Sequence, residues 1–276
     1  MKLILSRKGF DSSFGGCPSP IFEDGSFLSL PIPDKKSETH FSDIGGTRSI
    51  GQLVENLSPR LQPSDGVHLD PDLRMDSRPR KPGWRPLFGQ ADAAQRHLYK
   101  QGIARGDIFL FFGWFRRVEQ RDGRFRYKRG APDLHMMFGW LKVGEILRMS
   151  DDKDLSIPEW AKDHPHVTNK ALKENTIYVA AGTDSGYEAG TFRSAVEQLI
   201  LTRENSSRSR WRLPTWFYPS KEKSELSYHS NPARWKQGQH YVELQSVGRG
   251  QEFVLDTKDY PEAVDWVNDL IAKNGA

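Results

Sequence analysis

The stretches Ile108-Phe109-Leu110-Phe111-Phe112-Gly113-Trp114-Phe115 and Leu134-His135-Met136-Met137-Phe138-Gly139-Trp140-Leu141-Lys142-Val143 share the tripeptide Phe-Gly-Trp inside an apolar run. Both runs are too short to span a bilayer and are rich in aromatic residues, so both read as strands. In the first, Ile108, Leu110, Phe112 and Trp114 point to one face, and Phe109, Phe111, Gly113 and Phe115 to the other. A strand that is apolar on both faces belongs in the middle of a covered sheet or in a barrel wall. Glycine at the same place in each run removes a side chain where a ring or another backbone must come close. Two readings follow. Trp114 and Trp140 are a duplicated core, or the gaps over Gly113 and Gly139 form a slot for a flat ligand such as a nucleobase.

The segment between the strands, residues 116–129, carries seven cations (Arg116, Arg117, Arg121, Arg124, Arg126, Lys128, Arg129) against two acids. Asp122-Gly123 is a hairpin turn signal, so the segment is expected to project as a basic ribbon with Phe125 and Tyr127 interleaved. Cations with rings between them suit phosphate contact plus base stacking. The plainer reading is a solvated hairpin.

Composition bounds the rest. A chain of 276 residues buries a sizeable core, and a single domain over residues 1–276 with a long irregular insertion at about 35–90 is expected. The mean hydropathy of -0.68 points to long polar loops, and the pI near 9.0 fits a polyanionic partner. The single cysteine, Cys17, excludes an internal disulfide framework and multi-cysteine metal sites. No apolar run reaches the ~20 residues that span a bilayer, and the apolar start of the chain is too short for a signal peptide. A soluble, cytoplasmic setting is the expectation.

Outside the central strands, a strand at Leu3–Ser6 leads into a Gly/Ser/Pro-rich loop, followed by a hairpin from Ile21-Phe22 through Asp24-Gly25 to Phe27–Leu30. Helices are expected over Ala91–Gln101, near Thr191–Thr202, and after Pro261. A strand is expected at Thr176–Ala180, and a hairpin pairs Tyr241–Leu244 with Glu252–Asp256. Many strands and few βαβ units argue for an α+β fold with a mainly antiparallel, curved sheet.

Several constellations could carry chemistry. The loop after the first strand gathers Lys8, Asp11, Ser12, Ser13 and Cys17 among three glycines. Such a loop can form an anion-binding nest with Lys8 as charge partner, or it is a tight turn in which Asp11 and Ser12 hold backbone amides. It lacks the ending of a P-loop. Cys17 would be a nucleophile only with a base in reach. His68-Leu-Asp70 matches half of a facial metal triad, and His164-Pro-His166 offers two imidazoles. But His68 lies in the irregular zone and Pro165 gives the latter pair the look of a surface turn, so no metal is expected and His68 and Asp70 stand only as candidates should these segments converge. His135 falls within an apolar strand on the face assigned to Gly139. It is a first choice for a base-edge contact or proton transfer, with a hydrogen-bonded core histidine as the alternative. Trp211, Trp216 and Tyr218 either stack bases or cap a core.

The opening Leu3-Ile-Leu-Ser-Arg-Lys8-Gly9-Phe10-Asp11-Ser12-Ser13-Phe-Gly15-Gly16-Cys17-Pro18-Ser19-Pro20, then Leu30-Pro31-Ile-Pro33 and Gly106-Asp107-Ile-Phe-Leu-Phe-Phe-Gly113-Trp114, resembles the third of the nucleotide modification associated domains over nearly the whole chain. The resemblance implies an association with base modification in DNA. It supplies no reaction, no cofactor and no catalytic set, so Lys8, Asp11, Ser12, Ser13 and Cys17 carry over as motif positions only. The layout of Gly106-Asp107 and the two strands also resembles PUA-like barrels with flanking helices, which hold a flipped or single-stranded base.

The sequence therefore supports two functions. One is an enzyme in which the Lys8–Cys17 loop acts on a base held by Gly113, Trp114, His135, Gly139 and Trp140. The other is a non-catalytic reader of a modified base. In both, Arg116, Arg117, Arg124, Arg126, Lys128 and Arg129 grip a nucleic-acid backbone. The expected partner is nucleic acid, DNA first, or a nucleotide, with other base-modification proteins as further associates and no membrane.

Overall fold

The computed structural model describes residues 1–46, 48–149, 156–184, 186–220 and 222–276. The strands in its first half are β1 (Lys2–Arg7), β2 (Ser19–Ile21), β3 (Leu87–Gln90), β4 (Ile108–Arg121), β5 (Arg124–Tyr127) and β6 (Leu134–Arg148). They continue with β7 (Thr176–Ala180), β8 (Gly182–Thr183), β9 (Gly186–Tyr187), β10 (Ala189–Thr191), β11 (Arg210–Leu213), β12 (Trp235–Gln237), β13 (Val242–Gln245) and β14 (Glu252–Asp256). The helices are α1 (Ile50–Leu57), α2 (Asp92–Lys100), α3 (Pro165–Thr168) and α4 (Glu262–Asn274).

The main sheet runs β14-β1-β4-β6-β7-β3, with β2 and β5 on β4 and β10 on β6. β1 and β2 lie parallel to β4, and the other pairings are antiparallel. The fold is thus α+β with a large curved sheet. It does not close into the alternative PUA-like barrel, because β14 and β3 share no ladder. Side chains span the opening instead. Gln90 of β3 donates to Glu252 of β14 at 2.5 Å, and Phe88 of β3 lies 5.0 and 5.1 Å from the rings of Phe109 and Phe111.

Both Phe-Gly-Trp strands are central and buried, as their two-sided apolar pattern requires. Their register holds a correction. Phe111 pairs with Gly139 but Phe112 pairs with Met137, so Phe138 is an extra residue in a β-bulge. The bulge inverts the facing of everything after it, since a one-residue shift swaps sides. His135 pairs with Trp114 on the face of Phe112, whereas Gly139 lies on the face of Phe111, so the two do not share a side. On the His135 face, Phe112 meets Trp211 of β11 at 5.0 Å, which seats the small β11-β13-β12 sheet there.

Other expectations meet the structure unevenly. β1, β7, α2 and α4 lie where they were read. The helix near Thr191–Thr202 is absent; that stretch is β10, an irregular segment and a short 3-10 turn at Glu197–Leu199. The expected hairpin of Tyr241–Leu244 with Glu252–Asp256 is split, because β13 joins β11 and β12 while β14 joins β1. Within the irregular zone 35–90, α1 begins at Ser49, whose hydroxyl accepts from Gln52 N–H, and Leu53, Val54 and Leu57 bury one face. That face joins Phe10, Cys17, Phe22 and Leu30 in a second core.

The gaps over the two glycines are filled by the chain. A Cβ at Gly113 would meet the Lys8 carbonyl at 2.7 Å, and one at Gly139 would meet Leu73 at 2.7 Å and the Gly190 carbonyl at 2.8 Å. They are packing sites. Gly139→Val should therefore lower stability by about 1–3 kcal/mol through overpacking against backbone, read as a fall in melting temperature. An unchanged melting temperature would show that the space over Gly139 is open.

Candidate functional site

The Lys8–Cys17 loop is held by its own turn chemistry. Asp11 Oδ1 accepts from the N–H groups of Ser13 and Phe14 at 2.7 Å each, the turn-forming alternative read from the sequence. Ser12 Oγ accepts from Arg208 at 2.8 Å, and Ser13 is exposed. Cys17 is buried, and burial pushes its thiol up despite hydrogen bonding by Tyr127 and Ser58, so it rests protonated. Lys8 turns away from Asp11 into the curl of the sheet. Its ammonium lies 2.9 Å from Glu252, with both side chains buried, and 4.5 Å from the centre of the Phe88 ring. The motif residues thus separate into an outer turn and an inner ion pair.

The proposed base slot is likewise dispersed. The Arg208 guanidinium covers Trp114 at 4.1 Å, and Trp140 packs on Phe192 at 5.1 Å. His135 Nδ1 accepts from Trp211 Nε1 at 3.0 Å, which leaves the neutral ring protonated on Nε2. Burial, reinforced by the charges of Arg208 and Arg7, lowers its pKa to about 3. His135 is thus buried and hydrogen-bonded within the core.

The ribbon exists, with Asp122 and Gly123 at positive φ in its turn (51° and 73°). Its aromatics do not share the cationic face. Phe125 and Tyr127 pack inward on the second core, with Phe125 5.2 Å from Phe22. Arg116 is half-buried and pairs with Asp133 at 2.9 Å. Arg117, Arg124, Arg126, Lys128 and Arg129 are exposed, and none pairs with an acid among the described residues.

The convergence lies where the sequence signal was weakest. His68 and Asp70, from the irregular zone, meet His164 and His166 of the α3 turn. Those two are buried (1% and 6% exposed), not on a surface turn. Asp70 stands at the centre: Oδ2 lies 3.8 Å from His68 Nε2 and 3.7 Å from His166 Nε2, and Oδ1 lies 3.3 Å from His164 Nε2. Gly89 of β3 donates its N–H to Asp70 Oδ1 at 2.8 Å, and a Cβ at Gly89 would overlap the His166 ring. That glycine is required by close approach.

The ring nitrogens facing away from Asp70 are also held. Asn175 donates its amide to the His166 carbonyl at 2.6 Å, so its Oδ1 must be the atom 2.8 Å from His166 Nδ1, which therefore carries the proton. Asp34 lies 3.6 Å from His68 Nδ1. Burial alone would depress His68, but the pull of Asp34 and Asp70 outweighs it and raises its pKa to about 9. Burial, only partly offset by Asp70, lowers His166 to about 4. Burial would raise Asp70, but its histidine partners hold it well below the usual carboxylate range. His68, Asp70 and His166 each offer one ligand atom, all within 4.8 Å of one another, a donor set that could hold a cation. Behind it, Asp72 takes two bonds from Arg80 at 2.5 and 2.6 Å, and its backbone bridges Leu87 of β3.

Asp70 also borders a cavity of about 540 Å³, walled by the 70–77 segment, by Phe27 and Leu28, and by β6 and β10 at Phe138 and Gly190. Arg74 and Arg193 line it as well. Arg74 is paired with Asp76 at 2.8 Å, whereas Arg193 is exposed and has no acidic partner among the described residues. The sequence offered two clues to this place, the alternate-residue pairs His68-x-Asp70 and His164-x-His166. It offered none to Asp34, Gly89 or Asn175.

Compared with known proteins, the chain matches the family described as nucleotide modification associated domain 3 over residues 2–256. No curated protein and no solved structure matches it.

The inner ion pair gives a direct test of the motif lysine. Lys8→Met leaves Glu252 charged and buried without its partner, and should cost about 3–5 kcal/mol. Adding Glu252→Gln should return most of that loss in a denaturant titration. A Lys8→Met protein as stable as the parent would show that Lys8 has no structural role.

Proposed function

We propose that this chain, a member of the nucleotide modification associated domain 3 family, holds a nucleotide or a nucleic-acid base in the cavity beside Asp70 and acts on it there. Membership suggests a role in nucleotide modification and fits a nucleotide or nucleic-acid partner. No helix among the described residues is long and apolar enough to cross a membrane.

One observation carries the reading: Asp70 belongs both to the cavity wall and to a buried cluster of three histidines. A concave, largely apolar site with a few convergent polar groups of perturbed ionisation is the arrangement expected of an active site. The volume of about 540 Å³ lies within the usual ~300–1,000 Å³ of ligand pockets. Leu73, Phe27 and Phe138 offer apolar surface to a base, and Arg193, which pairs with no acid among the described residues, offers a cation to a phosphate.

Calorimetric titration with deoxynucleoside monophosphates and a short single strand should show binding to the wild type. Arg193→Glu should weaken it about tenfold, a difference of about 1.4 kcal/mol, without lowering the melting temperature. Binding that Arg193→Glu leaves untouched, or no binding at all, would remove the cavity from the function.

A second reading, nucleic-acid engagement through the ribbon, is favoured by the cations of β5 and its flanks, which pair with no acid among the described residues. Reversing Arg124, Arg126, Lys128 and Arg129 to Glu should flatten the salt dependence of duplex binding, by ~0.9 in log–log slope for each phosphate no longer neutralised. An unchanged slope would make the ribbon a solvated hairpin.

A further inference from the structure

We propose that His68, Asp70 and His166 bind one divalent first-row transition-metal ion, with Asp34, Asn175, Gly89 and His164 holding the three ligands in position.

The hydrogen positions carry the argument. His166 spends its only proton on Asn175, so the Nε2 it turns toward Asp70 is a bare lone pair. That lone pair and the Asp70 Oδ2 carboxylate oxygen face each other at 3.7 Å with no hydrogen between them. His68 lies between two carboxylates, with Asp34 3.6 Å from Nδ1 and Asp70 Oδ2 3.8 Å from Nε2, so in its neutral form with the proton toward Asp34 it adds a second lone pair at Asp70. Electron pairs converging on one buried point are a repulsive arrangement unless a proton or a cation sits among them. Two imidazole nitrogens and one carboxylate oxygen make the two-histidine, one-carboxylate set of first-row transition metals, while imidazole is a poor donor for Ca²⁺ and Mg²⁺.

The surrounding shell is also that of a metal site. Ligating histidines are commonly fixed by an oxygen acceptor on their second ring nitrogen, and ligating carboxylates are themselves hydrogen-bonded. Asn175 and Asp34 supply the first, and Gly89 N–H supplies the second at 2.8 Å. His164 differs. Its Nδ1 accepts from the His166 N–H at 3.3 Å, so its proton is on Nε2, and that atom is buried without a hydrogen-bond partner among the described residues. It lies 3.3 Å from Asp70 Oδ1, out of hydrogen-bonding line. A small turn of the Asp70 carboxylate toward a cation would satisfy it. His164 is thus a positioning residue and not a ligand. Tetrahedral coordination at the ~2.1 Å of metal–imidazole bonds needs ligand edges of about 3.4 Å, so the two edges to Asp70, at 3.7 and 3.8 Å, must close by a few tenths of an ångström, and the histidine–histidine edge must close from within 4.8 Å.

The competing account is a proton: His68 as an imidazolium between Asp34 and Asp70. The metal reading stands on the cluster alone, so metal binding can fail while nucleotide binding holds, and the reverse.

The test uses the full chain, stripped by a chelator and dialysed. Titrated with Co²⁺, the wild type should take up one ion per chain with a ligand-field absorption band, and Zn²⁺ should displace it. The double variant His68→Gln/His166→Gln should lose the band. Asn175→Ala, which keeps all three ligands, should weaken Co²⁺ by about 10–100-fold. If the double variant fails to fold, the decision rests on the wild type: Zn²⁺ must raise its melting temperature and shift the imidazole ¹⁵N resonances of His68 and His166 while leaving His135 unmoved. A wild type that binds Co²⁺ no better than the double variant, or whose imidazole resonances ignore Zn²⁺, overturns the proposal in favour of the proton.

Discussion

The buried pair of Lys8 and Glu252 ties together what the topology leaves apart. Lys8 directly follows the first strand, Glu252 opens the last, and Gln90 reaches Glu252 from the far edge of the sheet. Two charges buried at 2.9 Å are stabilising only if their remaining hydrogen-bonding capacity is met and the pair stays intact. The pair therefore constrains how far the sheet must curl: far enough to bring β3 beside β14, yet without a backbone ladder between them. Phe88 fills the apolar part of that curl against Phe109 and Phe111. The segments on either side of β3 then have fixed starting points, and the 70–77 wall of the cavity is one of them.

Much of the fold was legible in residues 108–143, because two-sided apolar alternation leaves few places for a strand. The bulge at Phe138 was not. Periodicity counts residues, and an extra residue in one strand leaves the apolar pattern of both strands looking regular while it reverses their relative facing. That is why His135 and Gly139 read as neighbours and lie on opposite faces. The ribbon shows a milder form of the same problem. The turn at Asp122-Gly123 was plain, but alternation in a two-stranded ribbon puts cations and aromatics on different sides, so an interleaved sequence became a segregated surface. α1 could have been read from Ser49 followed by Ile50, Leu53, Val54 and Leu57, since a cap and one helical stripe are both present. The Pro- and Gly-rich surroundings masked it.

The candidate site was half legible for a different reason. Side chains at alternate positions of an extended segment point the same way, so His68-x-Asp70 announces a pair of ligand-type residues on one side, and His164-x-His166 places two more at the start of the α3 turn. Nothing in a sequence says that two such pairs meet. Here the meeting is arranged by β3, whose Gly89 accommodates His166 and holds Asp70, and by the bridge of Asp72 to Leu87. The motif loop poses the opposite case. Its dense polar residues suggested chemistry, and the structure shows Asp11 bonding within its own turn and Lys8 paired with Glu252.

A long irregular segment inside a compact domain needs an account of what fixes it. The 35–90 segment is pinned by α1 in the second core and by Asp72 on β3, and between them it carries His68, Asp70 and one wall of the cavity. Placing binding groups on a loop fixed at both ends to rigid elements combines an adjustable surface with a defined position. The same residues impose a cost. Three imidazoles and an aspartate packed together are less stabilising than apolar side chains of the same volume would be, because each must be desolvated. Leu69, Leu73 and Val67, in the same segment, show that apolar residues fit there. The polar cluster is therefore not what the packing of this corner requires, and a cation that neutralises Asp70 and takes the lone pair of His166 Nε2 is what would return the cost of burying them.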